Sequence, residues 1–117
     1  MTYVDGFVVP VPEANLAAYK KMARKAGKIW MEHGALRYVE CLADDVPAGK
    51  TTDFYRAVKR KEGETVVFSY VVYKSRNSRD AVMKKVMADP RMKMDPKSFP
   101  FDGKRMFWGG FKTIVEL

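Results

Sequence analysis

Asp5, Tyr38, Glu40 and Tyr70 are the side chains of this sequence best placed to do chemistry. Each lies in an alternating stretch: Asp5 is two residues from Phe7, Glu40 two from Tyr38, and Tyr70 two from Phe68. Residues two apart in an extended chain share a face, so these residues are expected together on one side of a sheet. A carboxylate facing a partly apolar cavity has a raised pKa and can work as an acid or a base. Glu40, with Leu36, Tyr38 and Leu42 around it, is the expected catalytic residue, and Asp5 is the second. Tyr38, Tyr70, Phe7 and Phe68 are expected to contact a ligand. Arg105 and Trp108 complete that set from the last strand, where they differ in parity and the pair Gly109-Gly110 leaves the phase open. The competing reading is a buried structural network in which Arg105 pairs with Glu40 and the tyrosines donate hydrogen bonds.

Other chemistries find little support. One histidine and one cysteine cannot assemble the nitrogen and sulfur ligands of a zinc site. Asp44 and Asp45 are adjacent, hence on opposite strand faces, and no metal site is expected. Gly109-Gly110 lacks the spacing and the following helix of a nucleotide cradle, so no cofactor is expected and the glycines read as a bulge or a close strand approach. His33 beside Gly34 reads as a helix end, a histidine at the negative terminus followed by a left-handed glycine. Cys41, in an apolar alternation, reads as core.

The elements that must position these residues follow from periodicity. Tyr3–Val11 alternates and predicts a strand ended by Pro10 and Pro12. Leu16, Tyr19, Ala23, Ala26 and Trp30 recur at helical spacing and predict a helix to about His33, begun by Asn15 or Pro12. Ala35–Asp44 predicts a second strand and Glu64–Tyr73 a third, with the segment 51–61 between them ambiguous. Ser78 is expected to cap a short helix that Asp89-Pro90 stops, and Asp102-Gly103 turns the chain into a last strand from Lys104 to about Val115. The order strand, helix, strand, strand, helix, strand predicts one α+β domain over residues 1–117. Its expected fold is the ferredoxin-like β-α-β-β-α-β unit, a four-stranded antiparallel sheet with both helices on one face.

Each strand also divides by parity. Val4, Gly6 and Val8, then Val39, Cys41 and Ala43, then Val67, Ser69 and Val71 form small-residue faces expected beneath the helices. The aromatic face with Phe7, Tyr38, Phe68 and Tyr70 is left over, and a second copy of the chain is its expected cover, giving a homodimer. The small-molecule pocket is expected on that inner face. A net charge of +8 from clustered lysines and arginines offers another reading, in which the basic side of the first helix binds RNA or another polyanion. Because the aromatics fall outside the basic clusters, a solvated helix face accounts for the charge better than nucleic-acid binding does. No run approaches the length of a membrane-spanning helix, the N-terminus has no secretory pattern, and a lone cysteine fits a reducing compartment, so a cytoplasmic address is expected.

Several blocks carry a family resemblance. They are Tyr3-Val4-Asp5-Gly6-Phe7, Gly34-Ala35-Leu36 with Tyr38 and Glu40-Cys41, and Ala43-Asp44-Asp45-Val46. Further along are 84–91, Phe101-Asp102-Gly103-Lys104-Arg105-Met106 and Gly109-Gly110-Phe111. Together they resemble the YbaA-like family of uncharacterised bacterial proteins. The resemblance implies a dimeric α/β-barrel, a group that includes small monooxygenases, haem-degrading enzymes and dehydratases. It implies no particular reaction, because that fold carries many activities.

Overall fold

A computed structural model describes residues 1–117. The strands are β1 (Tyr3–Pro12), β2 (Arg37–Leu42), β3 (Glu64–Tyr73) and β4 (Phe107–Lys112), and the helices α1 (Leu16–Glu32), α2 (Phe54–Ala57) and α3 (Arg76–Ala88). All strand pairs are antiparallel, in the order β2-β3-β1-β4. Ile29 and Trp30 of α1 and Val82 and Val86 of α3 bury against Val71 and Tyr73 of β3, which puts both long helices on one face. The expected architecture is present.

Local chemistry sets the boundaries. Asn15 stands at the N-cap of α1, but its side-chain amide donates to the carbonyl of Pro100 instead of capping. Helix α1 ends as expected: the amide of His33 reaches the carbonyl of Ile29, and Gly34 has φ +117°. Ser75, not Ser78, caps α3, its hydroxyl accepting from the amide of Ser78. The ambiguous segment holds α2, a single turn capped by the Asp53 carboxylate. The last strand is shorter than expected and excludes Arg105. Its guanidinium grips both oxygens of Glu64 at 2.7 and 2.6 Å and reaches Asp102 at 2.9 Å, so the chain at 102–105 folds into a turn. Arg105 therefore closes the end of β3 and does not pair with Glu40.

The strand faces correct the expectation most. Directly opposed residues share a face, so the register sorts the sheet into rows. Glu40, Ser69, Phe7 and Trp108 form one row, and Tyr38, Val71, Asp5 and Gly110 the next. Both lie beneath the helices, since Val71, Val9 and Val67 of this face pack on α1. The far side carries the rows Cys41, Phe68, Val8, Phe107, then Val39, Tyr70, Gly6, Gly109, then Arg37, Val72, Val4, Phe111. The expected parity holds for β3 and is inverted for β1 and β2. On β2 the cause lies in α1, whose buried side sets the small residues Ala23 and Gly27 between the large ones Tyr19, Ile29 and Trp30 and so leaves gaps above the strand. Those gaps are filled from the sheet, by Tyr38 against Gly27 and by Phe7 between the two core clusters. Cys41 is accordingly exposed on the far face and is not core.

Candidate functional site

Two clusters of the expected site residues survive as clusters, and both sit on the helix side. The first lies at the open edge of the sheet, between α1 and β2. Tyr38 and Glu40 project from β2 toward the helix, and Tyr19 reaches down from the first turns of α1. The Tyr19 hydroxyl donates to Glu40 Oε1 at 2.7 Å and the Tyr38 hydroxyl to Oε2 at 2.6 Å. Burial, reinforced by the charge of Glu40, pushes both phenols well above the ordinary tyrosine range. They therefore stay protonated and act as hydrogen-bond donors to Glu40.

Above this triad runs a groove of about 590 Å³ with Ala23, Gly27, Met31 and the two tyrosines among its lining residues. Gly27 is what lets the Tyr38 ring lie against the helix: a Cβ there would sit 2.6 Å from Tyr38 Cδ1. Gly27→Ala should improve helix propensity by about 1 kcal/mol, yet overpacking costs about 1–3 kcal/mol, so a net loss is expected. In a Tyr38→Ala background the same change should stabilise, and thermal melts of the double-mutant cycle measure the reversal.

Lys20, Arg24 and Lys28 form the rim of the groove, one row along α1. No carboxylate lies within 4.0 Å of any of them. Glu32 also lines the groove, but Arg91 holds it at 2.7 Å.

The second cluster gathers Asp5, Phe7 and Trp108 around Arg79 of α3. Asp5 is fully buried, and Arg79 Nε lies 3.0 and 3.1 Å from its two carboxylate oxygens. The guanidinium also spans the rings of Tyr3 and Trp108, centroids 5.3 and 5.7 Å away, and Trp108 stacks on Phe7. Gly110 leaves room for it, since a Cβ there would come within 2.5 Å of both Arg79 Nη2 and the Tyr3 hydroxyl. Every polar arm of Asp5 and Arg79 is spoken for, which is the arrangement of a structural clamp.

The remaining expected residues separate from these. Phe68 and Tyr70 lie on the far sheet face, their ring centroids 6.2 Å apart, and Arg105 belongs to the Glu64 bridge. The expected single constellation of Asp5, Tyr38, Glu40 and Tyr70 on the face away from the helices is therefore corrected, because β1 and β2 present the opposite parity. Two participants were not anticipated in these roles, and both had a sequence signal. Tyr19 stands one helical turn from Ala23 and two from Gly27, on the stripe that meets β2. Arg79 precedes Val82, Met83 and Val86 by three, four and seven residues, which places a charge on the buried stripe of α3 and requires a buried partner. Groups of histidine, cysteine, aspartate or glutamate arranged to hold a metal ion are absent.

Comparison with known proteins places the chain in context. A family model described as protein of unknown function (DUF1428) matches residues 2–103. The uncharacterized protein YbaA of Escherichia coli strain K12 is 57% identical over 116 residues, covering 99% of both chains. The protein of the same name from Shigella flexneri matches to the same extent, 57% over 116 residues and 99% of both chains. Among solved structures, a dimeric ferredoxin-like protein from an uncultured marine organism superposes with a TM-score of 0.58 at 11% identity, covering 100% of both chains. SnoaB, a cofactor-independent oxygenase from Streptomyces nogalater, does so with a TM-score of 0.56 at 11% identity, covering 99% of this chain and 96% of that one. At such identities the likeness is one of fold, and the fold is ferredoxin-like.

Proposed function

This chain belongs to the family described as protein of unknown function DUF1428, and from that premise we propose that it is a homodimer whose subunits each bind a small molecule in the groove between α1 and β2. Glu40 is the acid or base of that site, and the chemistry it supports needs no cofactor. The single observation that carries the reading is the Tyr19–Glu40–Tyr38 triad at the floor of the groove. A carboxylate engaged by two protonated phenols is a proton acceptor flanked by two donors. A ligand hydroxyl or acidic C–H that displaces one phenol meets the base directly, and the displaced phenol can then stabilise the negative charge left on the ligand. The cofactor-independent oxygenase among the structural neighbours makes a monooxygenase-like reaction a reasonable form for this chemistry. The dimeric neighbour supports pairing, and so does the uncovered far face of the sheet.

Native mass spectrometry of the protein purified from its own cells tests the site. A bound small molecule is expected at one per subunit, with retention falling at least about tenfold in Glu40→Gln, the scale of one charge-assisted hydrogen bond. Equal retention by a stably folded Glu40→Gln protein would remove Glu40 from the site.

A further inference from the structure

Building on the reading of this groove as a ligand site, we infer that its ligand is a small organic anion that also carries an acidic hydroxyl, of the class of hydroxylated aromatic carboxylates. Three features of the groove converge on that class. Its floor ends in Glu40, which accepts hydrogen bonds only, so the group seated there must be a donor. The wall is flat and weakly polar, built from the small residues Ala23 and Gly27, from Met31 and from the ring of Tyr38, a surface that suits a planar apolar body. Its rim is cationic: Lys20, Arg24 and Lys28 lie along α1 with the first and last about 12 Å apart at the helical rise.

The rim cations are the deciding feature, because they have no acidic partner. Five arginines away from the groove, Arg56, Arg76, Arg79, Arg91 and Arg105, each hold an aspartate or glutamate, whereas Arg24 on the rim, like Arg37, Arg60 and the lysines, holds none. The one acidic residue that could neutralise the rim, Glu32, is held by Arg91. Positive charge thus stands along one edge of the groove, while Glu40, the one carboxylate of its lining without a cationic partner, sits at its floor. A ligand with a donor at one end and an anionic group at the other satisfies both ends at once. A neutral molecule would leave the rim unused, and an anion without a donor would meet Glu40 with nothing to offer it. A volume of about 590 Å³ admits a one- or two-ring compound.

Calorimetric titration of the full-length protein with 4-hydroxybenzoate, benzoate and 4-hydroxybenzyl alcohol tests the inference. 4-Hydroxybenzoate should bind at least about tenfold more tightly than either of the others. Changing Lys20, Arg24 and Lys28 together to Gln, all exposed and so harmless to folding, should erase its advantage over the alcohol and leave its advantage over benzoate. Glu40→Gln should do the reverse, and Tyr38→Phe provides a second floor variant should the Gln protein fold poorly. Equal binding of the alcohol and 4-hydroxybenzoate, still dependent on Glu40, would overturn the anionic class while leaving the site itself standing. If benzoate matched 4-hydroxybenzoate, the hydroxyl requirement would fall. Binding of no probe, or binding indifferent to both floor variants, would overturn the inference and the site together.

Discussion

Phe68→Asp is expected to convert the sedimenting species from dimer to monomer at micromolar concentration. Phe68 stands at the centre of β3 on the face away from the helices, 43% exposed within a single chain. Around it the same face carries Tyr70, Val72, Val4, Val39, Cys41, Phe107 and Phe111, a continuous apolar sheet surface of the kind that marks an interaction site. Residues 43–58 cover part of it, where Val58, Tyr55 and Ala43 pack on Val8 and Val66 and the Phe54 ring meets Phe68 edge-on, centroids 6.3 Å apart. The row holding Tyr70 also holds Gly6 and Gly109, and a Cβ built at Gly6 meets no atom within 4 Å. Knob and hollow lie side by side on one surface, the self-complementary arrangement a twofold interface needs. An uncompensated carboxylate in such an interface costs on the order of 3–5 kcal/mol, enough to shift a micromolar equilibrium to monomer. The variant should otherwise remain folded, because Phe68 is not part of the helix-side core. A wild-type monomer at that concentration, or an unchanged dimer in Phe68→Asp, would rule out pairing through this face.

The second large effect is expected at the Asp5–Arg79 clamp. Asp5→Ala should lower the stability measured by urea unfolding by about 3–5 kcal/mol, because it leaves the Arg79 guanidinium largely buried without its counter-charge. Arg79 keeps only Asp80, which is half exposed and worth little, and Asp80→Ala should move the unfolding curve by less than about 0.5 kcal/mol. The pair joins the beginning of β1 to the first turn of α3, so its loss loosens the one polar tie between that helix and the sheet. Replacing both partners with apolar residues, Asp5→Leu with Arg79→Met, should recover much of the loss, since no buried charge then remains. A single Asp5→Ala change that cost less than about 1 kcal/mol would mean the clamp is solvated and the cost of burial was never incurred.

Much of this molecule is legible in its residue order. The strands Tyr3–Val11 and Glu64–Tyr73, the helix ending at His33-Gly34, the break at Asp89-Pro90 and the ferredoxin-like order of elements all follow from period and punctuation, which are local properties. Membership of Tyr38 and Glu40 in one face, and of Asp5 and Phe7 in one face, is equally local, because side chains in a strand alternate whatever surrounds them. Which of the two faces meets the helices is a different kind of question. Alternation is symmetric, and nothing inside β1 or β2 says which parity is inward. That choice was made by packing against α1, where Gly27 leaves the room the Tyr38 ring fills and Phe7 fits between the two core clusters, so both turned toward the helix and carried Glu40 and Asp5 with them. The partners of those carboxylates came from the same decision. Tyr19 lies 21 residues from Glu40 and Arg79 lies 74 from Asp5. No local pattern links such pairs. Packing two helices on one side of the sheet brought them together, because a buried carboxylate is stable only where the fold supplies donors for it.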